Sequence, residues 1–278
     1  MNPPATFPAD TELAEALLPV ALKAGTAILT VRRRGGAGVE WKTDMSPVTE
    51  ADRAAEAVIA AALAELAPGM PVIAEEAAYE GRVPVTGSEF FLVDPLDGTR
   101  EFVKGGNDFT VNIGLIRDGV PTVGVILLPE TGKLFWGVAG AGAWRALVVD
   151  GAITERQPIR ARPAPDGPIA VVASRSHRTP ETDAYIRRYD VADLVSAGSS
   201  MKFCVVASGK ADLYPRMGTT MQWDTAAGDA ILRAAGGVVV TLDGRPLPYG
   251  PKDGEGAAAY KNPWFIAAGG LKLLPQSD

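Results

Sequence analysis

The sequence predicts a layered α/β fold of α+β character, with an antiparallel or mixed sheet in its first half and a smaller α/β arrangement in its second. Three observations predict it. Apolar residues recur at helical spacing over 11–34 and again over 49–67. Between Phe109 and Val149, short apolar runs are separated by turn residues. From Ile169 onward, strand-like and helix-like pieces alternate.

The first helix is expected over Thr11–Arg34. Leu13, Leu17, Val20, Ala24 and Ala27 make its stripe, Arg32 to Arg34 suit its C-terminal end, and Gly35-Gly36 stops it. The second is expected from Thr49 to Ala67, opened by the capping pair Thr49 and Asp52 and ended by Pro68-Gly69. Val72-Ile73-Ala74 and Phe90-Phe91-Leu92-Val93 then read as short buried strands. A β-meander follows, with strands Thr110–Ile116, Thr122–Leu128, Lys133–Val138 and Ala143–Val148 joined at Asp118-Gly119, Pro129–Gly132 and Gly140–Gly142.

The Pro-, Arg- and Ala-rich segment Arg160–Pro168 marks the expected internal boundary. It divides 1–160 from 161–278. Beyond it, Ile169–Ala173, Leu194–Ser196, Ala211–Tyr214 and Val238–Leu242 read as strands, and Glu181–Tyr189, Ser200–Ser208 and Thr225–Ala235 as helices.

Composition narrows the chemistry. The chain has 278 residues, 47% apolar and 22% charged, enough for a substantial core. A net charge of −6 argues against a nucleic-acid-binding surface. One cysteine (Cys204) and one histidine (His177) preclude an intrachain disulfide and a Cys/His zinc site, and fit a reducing compartment. Any bound metal must take oxygen ligands, which suits Mg²⁺. Asp10, Glu12 and Glu15 stand where a secretory signal would be basic. Pro19 and Lys23 interrupt the apolar stretch Ala16–Val31, which reads as too short to span a bilayer. A cytoplasmic protein is expected.

The run Asp94-Pro95-Leu96-Asp97-Gly98-Thr99 follows a buried strand. Asp-Pro and Asp-Gly are ordinary turn formers. That does not explain two carboxylates crowding the end of so apolar a strand, where they repel each other and lose hydration. A divalent cation relieves both penalties. Glu75-Glu76 also ends an apolar strand, with a solvated strand end as its ordinary reading. Asp224 precedes a strong helix, where it would serve as an N-cap. Asp44 lies in the turn-like Lys42–Pro47, where an Asx turn is the ordinary reading.

Together these motifs resemble the inositol monophosphatase-like superfamily of metal-dependent phosphatases. The resemblance rests on Asp94–Thr99 with Glu101-Phe102, on Trp223-Asp224-Thr225-Ala226-Ala227-Gly228, on Glu75-Glu76, and on Asp44 followed by Thr49-x-x-Asp52. These motifs span nearly the whole chain in the expected order. Ser174-Arg175-Ser176-His177, Gly198–Cys204, Ala211–Arg216, Lys104 and Phe109–Ile113 look like the CysQ branch of 3′(2′),5′-bisphosphate nucleotidases.

The resemblance implies an αβαβα sandwich. It also implies Mg²⁺-dependent hydrolysis of the 3′-phosphate of adenosine 3′,5′-bisphosphate, a byproduct of sulfate assimilation, with two or three ions at the site. Position by position, it implies metal ligation by Glu75, Asp94, the Leu96 carbonyl, Asp97 and Asp224, and activation of the attacking water by Asp44 and Thr99. Gly98, Thr99, Ser174, His177, Gly198, Ser199 and Lys202 would contact substrate, with His177 on the nucleoside and Lys202 on a second phosphate. A monomer or homodimer is expected, and the resemblance allows a peripheral place at the inner membrane. Two alternatives remain open: a broader phosphatase for inositol monophosphate or fructose 1,6-bisphosphate, and a non-catalytic nucleotide-binding module.

Overall fold

A computed structural model of the chain describes residues 8–35, 38–41, 47–174 and 178–274. Its first helix, α1 (Asp10–Arg33), buries Leu13, Leu17, Ala21, Ala24 and Ile28 along one face. It runs unbroken through Pro19. By length and composition α1 could therefore cross a membrane, contrary to the interruption expected at Pro19 and Lys23, but half of its apolar window is buried inside the protein. A short antiparallel pair, β1 (Glu40–Trp41) and β2 (Pro47–Val48), leads into α2 (Glu50–Leu66). The expected cap is present: the Ala51 N–H donates to Thr49 Oγ1 at 3.1 Å and the Thr49 N–H to Asp52 Oδ2 at 2.8 Å.

Seven strands form the first sheet in chain order: β3 (Val72–Ala74), β4 (Glu89–Asp97), β5 (Thr110–Arg117), β6 (Val120–Leu128), β7 (Lys133–Val138), β8 (Gly142–Val149) and β9 (Ala152–Ile159). The β3–β4 pair is parallel and the others are antiparallel. Both faces of its central strands are apolar. Phe91, Val93, Val111, Ile113 and Val125 pack against α1 and α2. Phe90, Leu92, Ile116 and Ile126 join a second core on the opposite face. Two short helices, α3 (Glu75–Tyr79) and α4 (Thr99–Val103), follow β3 and β4 directly.

Residues 160–168 separate this sheet from a mixed one made of β10 (Ile169–Ala173), β11 (Val191–Ser196), β12 (Leu213–Arg216), β13 (Val238–Thr241) and β14 (Phe265–Ala268), in the order β11-β10-β12-β14-β13. Helix α5 (Pro180–Ile186) closes its outer face, where Tyr185 and Ile186 meet Ile169, Val171 and Leu213. Helices α6 (Met201–Ala207) and α7 (Gln222–Ala234) lie between the two sheets. The layers are thus αβαβα, the sandwich the resemblance implied.

Helix α7 sits unusually close to the first sheet because the strands beneath it carry glycine. A Cβ on Gly124 would lie 2.2 Å from the Ala227 carbonyl oxygen, and one on Gly137 2.6 Å from the Ile231 Cα. No side chain fits there, so the trough sets the depth and direction of the helix that carries Asp224.

Candidate active site

Asp94 and Asp97 arise from one irregularity in β4. The pairing with β5 runs in step from Glu89 to Asp94 and shifts register before Asp97. Asp94 is therefore a strand residue, 1% exposed, rather than part of a turn. Its Oδ1 accepts the Leu96 N–H at 3.0 Å, which bends the chain locally. Gly98 follows at φ +97, a left-handed conformation that favours glycine. Any side chain there would also strike Ser199 Oγ, 2.5 Å from the position of a Cβ.

Glu75 is the first residue of α3 and not a loose strand end. Glu56 of α2 caps that helix: its two carboxylate oxygens accept the Glu76 N–H at 2.9 Å and the Ala77 N–H at 3.0 Å. Asp224 is the third residue of α7, whose N-cap is Met221, so it is not the N-cap itself. Its Oδ2 nevertheless accepts the Met221 N–H at 2.8 Å, so the capping role and a role in the cleft coexist in one carboxylate.

Glu75, Asp94 and Asp224 each bring a carboxylate oxygen within 4.8 Å of the other two. Asp97 lines the same cleft, which encloses about 400 Å³. Enclosure by protein raises the Asp97 carboxyl to about 6, although the Lys202 ammonium pulls it down and Glu75 adds to the rise. Asp224 is pushed well above the usual carboxylate range, first by burial and then by Asp97 and Glu75. Four acids in one enclosure with only oxygen donors is a donor set that fits a hard divalent cation, which would remove the repulsion.

Thr99 opens α4. Its hydroxyl lies 3.1 Å from Asp52 Oδ1 and 3.1 Å from the Leu96 carbonyl, both acceptors. Asp52 is 1% exposed. Burial raises its pKa against the opposing bonds from Thr49. Among the described residues, the carboxylate placed against Thr99 is Asp52; Asp44 lies outside them. The signal for Asp52 was in the sequence, in the same Thr49-x-x-Asp52 motif, where its capping function accounted for it fully.

The opposite wall comes from the second half. Ser199, at φ +48, donates its hydroxyl to the carbonyls of Asp97 (2.8 Å) and Asp108 (3.0 Å). That hydroxyl is committed to joining the two halves, and a substrate would meet the backbone of Ser199 rather than its Oγ. Gly198 presses on Asp108, only 2.7 Å separating the Asp108 Cβ from where a Cβ would stand. Ser200 donates to Asn112 Oδ1 at 2.6 Å and meets the Thr110 hydroxyl at 2.9 Å. Lys202 is 4% exposed; its Nζ donates to the Ser199 carbonyl at 2.5 Å and stands 5.4 Å above the Tyr214 ring. Burial lowers its pKa to about 8, with Asp97 opposing. Arg216, at the end of β12, lines the cleft beside it and was not singled out from the sequence.

The cleft therefore gathers Glu75, Asp94, Leu96, Asp97, Gly98, Thr99, Ser174, Gly198, Ser199, Lys202 and Asp224 from positions up to 149 residues apart in sequence. His177 lies outside the described residues; Ser174, three positions before it, is on the cleft wall.

Known proteins share this design. The chain is 41% identical over 253 residues to the 3′(2′),5′-bisphosphate nucleotidase CysQ of Salmonella typhimurium, which covers 90% of this chain and 97% of that protein. It is 34% identical over 215 residues to a histidinol-phosphatase of Mycobacterium tuberculosis, at 76% and 80% coverage. The crystal structure of CysQ from Bacteroides thetaiotaomicron superposes with a TM-score of 0.75 at 38% identity, covering 94% of this chain and 98% of that one. The sequence model of the inositol monophosphatase family matches residues 9–276. With a match of that extent and relatives this similar over most of their length, the chain belongs to the inositol monophosphatase family.

Proposed function

We propose that this chain is a Mg²⁺-dependent 3′(2′),5′-bisphosphate nucleotidase that hydrolyses adenosine 3′,5′-bisphosphate to AMP and phosphate. One observation carries the reading: a single cleft has an acidic wall suited to a metal and a basic wall, Lys202 with Arg216, suited to a second phosphate. A second phosphate would give the buried Lys202 ammonium an anionic ligand from the substrate in addition to the nearby Asp97. The similarity to the Salmonella typhimurium nucleotidase supports the same substrate class.

In this reading Glu75, Asp94, Asp97, Asp224 and the Leu96 carbonyl would hold Mg²⁺, as the two or three ions the family resemblance implies. When bound, it would supply positive charge at the reacting phosphate. The protein's own part is proton handling and alignment. Thr99 accepts a proton from the attacking water as its own hydroxyl proton passes to Asp52 Oδ1. Burial makes Asp52 a stronger base than an exposed aspartate. The water oxygen bonds to phosphorus as the P–O3′ bond breaks, and the 3′-oxygen leaves with a proton from solvent. Lys202 and Arg216 hold the 5′-phosphate, with Ser174 and His177 on the nucleoside side. The family resemblance assigned a part in activating this water to Asp44 as well, which lies outside the described residues.

The division at 160/161 belongs to the same proposal: residues 1–160 carry most metal ligands, and 161–278 carry Asp224 and the nucleotide contacts. The described lining of the cleft comes from one chain, which agrees with a monomer or a homodimer with independent sites. The one cysteine is buried and free, in keeping with a cytoplasmic enzyme.

The test is Mg²⁺-dependent phosphate release from adenosine 3′,5′-bisphosphate, inositol 1-phosphate, fructose 1,6-bisphosphate and histidinol phosphate, measured side by side. The bisphosphate nucleotide should give the highest kcat/KM. Preference for any of the other three would overturn the substrate assignment, and phosphate release without Mg²⁺ would overturn the metal.

A further inference from the structure

Asp224 is the one acid of the metal-suited cluster that comes from the second half of the chain, and it depends on how the first turn of α7 is held. The glycine trough sets where the helix lies, but it touches α7 from Ala226 onward. The turn bearing Asp224 is fixed from the other side, by Asn262 in the segment leading to β14.

Asn262 is 6% exposed. Its side-chain amide nitrogen reaches the Met221 carbonyl at 2.7 Å, Thr225 Oγ1 at 3.0 Å and Thr220 Oγ1 at 3.3 Å. Its backbone N–H donates to the Thr220 carbonyl at 2.9 Å. The preceding residue, Lys261, forms an antiparallel bridge with Met221. These bonds grip the chain on both sides of Asp224. Met221 is central, and Asn262 holds the peptides on both sides of it. The side-chain amide holds the Met221 carbonyl, and the backbone N–H holds the Thr220 carbonyl, whose peptide supplies the Met221 N–H that Asp224 Oδ2 accepts.

The orientation of this amide is informative. Asn262 Oδ1 is buried with no hydrogen-bond partner among the described residues. An orphaned buried acceptor is unfavourable, so the side chain is retained for its donor end. Turning the amide over would set an oxygen against the Met221 carbonyl, acceptor against acceptor.

We propose that Asn262 is a positioning residue for Asp224: it fixes Met221 through the peptides on either side, and the Met221 N–H fixes the carboxylate toward the Glu75–Asp94 cluster. The inference rests on the reading that this cluster binds Mg²⁺. Neither the sequence motifs nor the family resemblance singled out this asparagine.

The experiment is Mg²⁺ binding to the full-length protein by isothermal titration calorimetry without substrate, for the wild type, Asn262→Ala and Asn262→Ser. It is paired with the Mg²⁺ activation constant and the KM for adenosine 3′,5′-bisphosphate at saturating Mg²⁺. Loss of an outer-shell contact predicts Mg²⁺ affinity about 10-fold to 100-fold weaker for Asn262→Ala, with KM changed by less than about 2-fold. Asn262→Ser, which keeps one donor in a smaller side chain, should fall between. It decides the matter if the alanine variant does not fold. A folded variant with a lowered Tm and unchanged Mg²⁺ affinity would overturn the proposal, since a merely structural asparagine does that. So would equal shifts in the Mg²⁺ constant and KM. If the wild type binds no Mg²⁺, the metal reading itself fails; if it binds and the variants bind equally, only the role of Asn262 does.

Discussion

The two walls of the cleft are built by opposite means. On the acidic wall, short side chains stand at the ends of regular elements, and local bonds hold them: Leu96 N–H to Asp94, Met221 N–H to Asp224, and Glu56 capping the helix that starts at Glu75. On the basic wall, one long side chain is held by burial, by the Ser199 carbonyl and by the Tyr214 ring. The acidic wall is rigid because the backbone defines it. The basic wall is defined by packing, and Ser199 is the point at which the two meet. In the proposed function, chemistry that needs sub-ångström placement falls to the first wall, and recognition of a particular substrate falls to the second.

Breaking the acidic wall should cost the most. Asp97→Asn removes a ligand oxygen and a partly buried charge, and a metal's stabilisation of several kcal/mol at the transition state implies a loss of at least about 10³-fold in kcat. The apo protein should melt no lower than wild type, because a desolvated carboxylate has gone. Steady-state kinetics over a Mg²⁺ series, with calorimetric melting, checks both parts.

Thr99→Val separates proton handling from metal binding on the same wall. The loss in kcat should be about 10²- to 10⁴-fold, the range for a positioned proton-transfer group, while calorimetric Mg²⁺ affinity stays near wild type. A large loss of Mg²⁺ affinity would mean that Thr99 serves the ligand Leu96 rather than the water.

On the basic wall, Lys202→Met should act on substrate recognition. Losing a charged hydrogen bond to phosphate, worth about 1.5–3 kcal/mol, predicts a fall in kcat/KM of roughly 10- to 100-fold, seen mainly in KM. The wild-type lysine loses its proton near pH 8, so kcat/KM for the bisphosphate should fall as pH rises through about 8. The variant should lack that alkaline limb. A limb that persists in Lys202→Met would assign it to another group.

The smallest effect on turnover is expected from Gly124→Ala, which forces α7 off the sheet against the Ala227 carbonyl. Overpacking of this kind costs about 1–3 kcal/mol of stability, readable as a lowered denaturation midpoint. Any change in catalysis should appear in the Mg²⁺ constant, through Asp224, and leave KM for the nucleotide alone.

Much of this fold was legible in sequence, for reasons that individual elements make clear. α1, α2 and the strands β5 to β8 carry long periodic stripes because each packs one face or both against a large core. β9 escaped notice: it is a mostly exposed edge strand with Pro158 and little alternation. β14, four residues long, follows the Asn262–Trp264 segment without a periodic lead. α3 and α4, five residues each, are too short to show a period, and α3 owes its start to a cap from Glu56, far away in sequence. At the site, motif residues that line the cleft were visible because acids at the end of an apolar strand are conspicuous. Asp52 was visible too, but as a cap; only the fold brings Thr99, 47 residues on, to its other oxygen. Arg216 ends a segment, Ala211–Arg216, that the resemblance already used, but nothing local gave it a place in the cleft; Asn262 sits in unremarkable local sequence, and distance in the chain hid its role.

The position of β14 has a consequence for synthesis. It is the last strand in the chain order, yet it lies inside its sheet, between β12 and β13. As the polypeptide leaves the ribosome, β13 emerges with no neighbour to pair with, and α7 with one of its two covering sheets still unfinished. Asn262 also emerges late, just ahead of β14. The emerging chain would thus display a complete meander and an open hydrophobic slot until residue 268 has cleared the exit tunnel. Only then could the cleft close, so the nascent chain stays inert as a hydrolase until β14 has been made.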